Sequence, residues 1–110
     1  MKATFFQNGN MIDFTNSTDT AIAAGAVVSL NDERVGIAAC DIAAGETGTL
    51  AISGVFTVAK AAGTAIKQGQ AVKYDATNDN FGVGDTAKVA AGFAVSEAAA
   101  DAVTMEVKIG

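Results

Sequence analysis

The sequence predicts a mainly β protein, a small single-domain barrel or sandwich assembled from two related β halves, with at most one short helix. Three observations point there. Apolar residues alternate with polar ones at period two, most clearly where Val103, Met105, Val107 and Ile109 interleave with Thr104, Glu106 and Lys108. Turn-forming residues recur between the apolar runs, at Asn31-Asp32, Ala44-Gly45-Glu46 and Asn78-Asp79. An internal echo aligns "GIAACDIAAG" (Gly36 to Gly45) with "GFAVSEAAAD" (Gly92 to Asp101), and "GAVVSL" at Gly25 with "GQAVKY" at Gly69.

Residues 1–110 read as one β domain, with 1–15 as an N-terminal arm or hairpin. In "ATFFQNGNMIDF", "TFF" and "MIDF" flank Asn8-Gly9, a dipeptide suited to a tight hairpin turn. This segment holds three of the six phenylalanines. As a core strand it would bury them; as an arm it would dock Phe5 and Phe6 on a neighbouring subunit, and the sequence leaves both open. "AVVSL", "RVGIAAC", "QAVKYD" and "KVAAGFAVS" supply further strands. "LAISGVFTVA" is apolar on both faces, Leu50, Ile52, Phe56 and Val58 against Ala51, Val55 and Ala59, so it predicts a strand covered by the core on one side and by another layer or subunit on the other. "AKAAGTAIKQG" (Ala59 to Gly69) is the candidate helix, but Gly63 costs about 1 kcal/mol relative to alanine, and a single turn or structured loop competes with it.

Composition narrows the function. The chain has 110 residues, enough for a core without disulfides or metal, yet its apolar half is rich in alanine, which removes little surface from water per residue. Association between subunits would then add stability. A net charge of −5 with seven scattered basic residues excludes the clustered Lys and Arg of a nucleic-acid binder. The start lacks the pattern of a signal peptide and no stretch is apolar enough to span a bilayer, so the chain reads as cytosolic at synthesis. Histidine, the commonest general base and metal ligand, is missing.

The most site-like stretch is "KYDATNDNFG", Lys73 to Gly82. Set on the calcium-loop template from Asp75, it offers Thr77 and Asp79 at the third and fifth positions, but Asn80 stands where glycine belongs and Thr86 where the bidentate Glu is required. A surface hairpin whose Asn and Asp residues take left-handed conformations is the better reading. "AGETGT" lacks the lysine of a phosphate-binding loop. Cys40, matched to Ser96 in the echo and without a histidine base, reads as a small buried filler. Lys60 and Lys67 read as solvated, the serines have no base, and the carboxylates are dispersed as solubilising surface. No catalytic, cofactor-binding or metal-ligating residue is nominated, and no cofactor is expected.

The order of segments is more informative than their chemistry. "FFQNGNMIDF", then "AGAVVSLNDERVGIAACDIAAGETGTLAISGVFTVAK", "AAGTAIKQGQAVKYDATNDNFG" and "GFAVSEAAADAVTMEVKIG" together resemble the small phage capsid cement, or head-decoration, proteins of the DUF2190 family, over nearly the whole chain. The most specific parts are "GVF-x-V-x-K" (Gly54 to Lys60), "AIKQGQAVKYD" (Ala65 to Asp75) and the paired "VGIA" and "AGFAV" segments. The resemblance implies a structural virion protein that binds the capsid exterior as a small homo-oligomer, a dimer or trimer, and ties neighbouring major capsid proteins together, without membrane or nucleic-acid partners. The chain departs from it in having no tryptophan or proline. Candidate interface residues are Phe5, Phe6, Val55, Tyr74 and Phe81. A competing reading is a β-barrel module displayed on a particle that binds a glycan or other ligand, with Tyr74 and Phe81 as the aromatic platform.

Overall fold

The computed structural model describes residues 1–84 and 88–110; Thr86, weighed above as a calcium-loop position, lies outside the described residues. Nine strands form two antiparallel sheets among the described residues, and no helix interrupts them. The first sheet takes β1 (Met11–Thr15), β2 (Val27–Leu30), β3 (Arg34–Ala38) and β4 (Thr47–Ala51) in the order β1-β4-β3-β2. The second takes β5 (Gly54–Ala59), β6 (Ala71–Asp75), β7 (Asn80–Gly82), β8 (Val89–Ala94) and β9 (Thr104–Ile109) in the order β5-β9-β8-β6-β7. The result is a sandwich, and neither sheet closes into a barrel.

The internal echo is structural. Apart from β7, the two sheets share one strand order, with β5, β6, β8 and β9 standing where β1, β2, β3 and β4 stand. Their connections share hydrogen bonds as well. Ile22 and Ile42 exchange a reciprocal pair at 2.8 Å, as do Ile66 and Ala98 at 2.9 and 2.8 Å. Gly25 N donates to Ala38 O and Gly69 N to Ala94 O, both glycines at positive φ, where L side chains are strained. The buried polar residues correspond too. Asn16 donates from Nδ2 to Thr20 O and Ile42 O, and accepts from the backbone and hydroxyl of Thr18. In the second half Lys60 Nζ donates to Ala61 O and Ala100 O. Each ties a strand end to the loops that follow, meeting the rule that buried polar groups are hydrogen-bonded.

Each sheet has a loop-covered face, on which the returning connections pack, and a far face. On the first sheet's loop-covered face Leu50, Ala38 and Ile42 are buried, flanked by half-buried Ile12, Phe14, Val28 and Leu30. The first sheet's far face (Val27, Val35, Ile37, Ala51) joins a single larger cluster with the loop-covered face of the second sheet, including Val58, Ile66, Val72, Met105, Val107 and Ile109. The sheets therefore stack far face to loop-covered face, and full burial of each large aliphatic contributes about 1.5–3 kcal/mol.

Several local expectations are corrected. "LAISGVFTVA" is two strands in different sheets: β4 ends at Ala51, the chain turns through Ile52 and Ser53, and Gly54 at φ +138 starts β5. The expected hairpin about Asn8-Gly9 does not form; β1 pairs with β4 and residues 1–10 carry no strand. Ala59 to Gly69 is not helical; Gly63 and Gly69 adopt positive φ and Ile66 is pinned to Ala98. Val103, read as the start of the last strand, is exposed just outside β9. Cys40 is exposed rather than buried, and Lys60 is buried rather than solvated.

Candidate functional site

The polar stretch that began as a metal candidate is the β6–β7 hairpin. Asp75 pairs with Asn80 across it, and Asp79 takes the left-handed conformation at φ +52. The Asp75 carboxylate turns back on its own loop, accepting from Asn78 Nδ2 at 2.9 Å and from the backbone N–H groups of Thr77 and Asn78 at 3.0 and 3.3 Å. The Asn78 side-chain bond leads in holding this carboxyl below its usual range, aided by the backbone donors and by Lys88, whose Nζ lies 3.9 Å away. Asp79 accepts the Tyr74 hydroxyl at 2.6 Å. Burial first, then that bond and the nearby carboxylates, push the Tyr74 phenol up to about 12. The two aspartates thus face different partners, and their oxygens do not converge.

Tyr74 and Phe81 do not form a platform. Their rings pack against each other at 5.2 Å between centroids, tilted by 48°, and the residues are only 5% and 1% exposed. The alternation that put them on paired strands is real, but it points both into the core, so the aromatic surface expected of a glycan-binding module is not available. A cleft between the sheets is lined by Val27, Ile37, Phe56, Val58 and Phe81, and its single ionisable group is Asp79, already bonded to Tyr74. Among the described residues no three His, Cys, Asp or Glu side chains gather as a metal site would require.

What the molecule does present is apolar surface. Phe5 and Phe6 are 81% and 90% exposed, on a segment whose first backbone tie to the body is Ile52 N to Asn10 O. Their exposure decides against the core-strand reading. Val55 is 57% exposed on β5. Strand register places it in a row across the second sheet's far face, Val55 beside Lys108, Lys108 beside Phe93, and Phe93 beside Ala71. Phe93, 42% exposed, was not singled out from sequence, although the echo had matched it to Ile37. It points to the far face as Ile37 does, and is exposed because no second sheet covers that face; a β-bulge follows the Val72–Gly92 pair. A Cβ on Gly92 would fall 1.8 Å from Lys108 O, so the close approach of β9 needs glycine there.

The polar groups gathered at the β6–β7 hairpin are spent on its own loop, and the exposed groups include large apolar side chains. The chain belongs to the phage cement protein family, whose model matches residues 6–109, nearly its whole length. No curated protein and no solved structure matches it. The chain is therefore a structural phage protein of the cement class.

Proposed function

We propose that this chain binds the outer surface of a phage capsid as a small homo-oligomer and ties neighbouring major capsid proteins together. The observation that carries the reading is the family match over residues 6–109. The exposed segment with Phe5 and Phe6 is the contact we assign to the shell, with Val55 on the far face as an apolar contact between subunits, whereas Tyr74 and Phe81 hold the β6–β7 hairpin from inside. An exposed phenylalanine loses unfavourable hydration when a partner covers it, by about 1.5–3 kcal/mol for full burial. That is weak for one contact. A shell repeats the same site many times, and a cement unit that engages two or three neighbours at once multiplies such contacts through effective concentration.

The test is the copy number of this chain per purified particle, relative to the major shell protein, before and after a high-salt wash. A fixed ratio of one copy per symmetry-related site that survives the wash is the expected result. Absence from particles, or a handful of copies, overturns the assignment.

A further inference from the structure

The two halves stack asymmetrically, and this leaves two faces of the molecule unpartnered. Inside the chain, the far face of the first sheet packs on the loop-covered face of the second. The remaining faces are their repeat counterparts. On the far faces, the row Met11, Ala51, Ile37 and Val27 corresponds to Val55, Lys108, Phe93 and Ala71, with identical pairing across the four strands. Ile37 is buried in the shared core, whereas Phe93 stands exposed. On the loop-covered faces, Val58, Ile66, Val72 and Ile109 are buried, whereas their counterparts Phe14, Ile22, Val28 and Ile52 are only half-buried. The first half also has no counterpart of β7, so nothing takes the place of Phe81 over that face.

We propose that copies of this chain associate head to tail, the far face of one copy's second sheet packing on the loop-covered face of the next copy's first sheet, as the two sheets pack within each chain. The occupant is a second copy because the chain already contains both sides of this contact. The internal cleft supplies the register: it brings Val27 and Ile37 against Phe56 and Val58, so between copies Ala71 and Phe93 meet Ile12 and Phe14. Lys108, in the middle of the row, directs its Nζ to the carbonyl oxygens of Ile109 and Gly110, at 3.4 and 2.9 Å, leaving Val55 and Phe93 as the apolar flanks. Such a contact is heterologous, so it closes into a ring where the rotation allows and otherwise extends.

This inference rests on the homo-oligomer of the proposed function and gives it a geometry; attachment to a shell is a separate matter. The test is disulfide trapping of the free protein in a Cys40→Ser background, which removes the exposed native thiol. Ala71→Cys and Ile12→Cys chains, each shown folded by circular dichroism, are mixed and oxidised with copper phenanthroline. Head-to-tail packing yields mainly the mixed A71C–I12C dimer. Predominant A71C–A71C dimers show a far-face-to-far-face contact and overturn the proposal, as does failure to form any cross-link. Independently, Phe93→Asp is expected to reduce the mass in sedimentation equilibrium to that of a monomer without moving the urea midpoint. A wild-type chain that is monomeric at every concentration overturns the proposal too. Because the particle copy number is read separately, monomers that decorate shells reject only the geometry, and head-to-tail oligomers absent from particles reject only the cement assignment.

Discussion

The two halves fill one position in opposite ways, which makes an exchange between them a sharp test of the duplication. Ile42 leans over Gly48 of β4: a Cβ on that glycine would lie 2.4 Å from Ile42 Cγ1 and 2.8 Å from Cδ1. At the corresponding positions the second half has Ala98 and Met105, both buried. A large loop residue over a bare strand position has become a small loop residue over a large strand side chain. Gly48→Met alone forces Ile42 or the strand to move and is expected to cost about 1–3 kcal/mol or more, as overpacking does. Ile42→Ala alone empties a fully buried site and is expected to cost about 2–5 kcal/mol. If the halves share their packing geometry, the double substitution refills the site from the strand side. It should then be more stable than the sum of the single changes predicts by at least about 1 kcal/mol, within the coupling found between residues in contact. Urea unfolding of the four proteins followed by circular dichroism measures this, as midpoint shifts at constant slope. Costs that add to within about 0.5 kcal/mol would refute the equivalence of the two positions.

Other consequences are open to simpler measurements. Tyr74 is the single tyrosine, and its phenol, raised from 10.0 to about 12 in the folded chain, ties stability to alkaline pH. The folded state holds the proton more tightly, so the contribution is complete below pH 10 and is lost as pH rises through the folded value, up to about 3 kcal/mol at 1.36 kcal/mol per unit. Absorbance titration of the phenolate and urea unfolding across that range should show it, and Tyr74→Phe should lose this part of the pH dependence; an ordinary phenol titration would contradict it. Asn16→Ala removes the four hydrogen bonds of a fully buried side chain, although Ile42 O keeps the Ile22 N–H and Thr20 O keeps the Thr18 hydroxyl, and is expected to lower stability by about 1–3 kcal/mol in urea unfolding. Replacing both Phe5 and Phe6 by serine should leave the urea midpoint within about 0.5 kcal/mol of wild type, as exposed positions do, while reducing retention on purified shells after a salt wash.

The features legible in the sequence were those set by local constraints. Gly25 and Gly69 recur because each occupies the same positive-φ turn, and Asn31-Asp32 adopt the left-handed pair that the β2–β3 turn requires. The reading of "KYDATNDNFG" as a hairpin followed from the same chemistry. What escaped depended on tertiary context. The run from Leu50 to Ala59 stays apolar across the switch between sheets, and only Gly54 marks the break. Lys60 was placed in solvent because lysine usually is; its burial shows only when aligned with Asn16, the other buried polar residue at the same point of the repeat. Tyr74 and Phe81 were located on the right strands, but whether an aromatic pair faces solvent or core depends on what covers it. Core strand and docking arm are equally compatible with "TFF"; the exposure of Phe5 and Phe6 and the unpaired backbone before Asn10 decide against the core strand.

The duplication also bears on how the proposed self-contact and the proposed shell attachment use different surfaces. Had the halves packed with like faces together, the molecule would present two outer surfaces of one kind, and a self-contact would join like faces. Packing far face to loop-covered face instead leaves one surface of each kind, around Phe93 and around Phe14, which differ in shape and cannot substitute for each other. The arm bearing Phe5 and Phe6 leaves from β1, the edge strand of the first sheet. It need not take part in the stacking contact, so copies joined through their sheets keep their phenylalanines free for another partner. Under the proposed function, weak attachment through each arm would then gain strength from the number of arms held together, and neither association would require a large interface of its own.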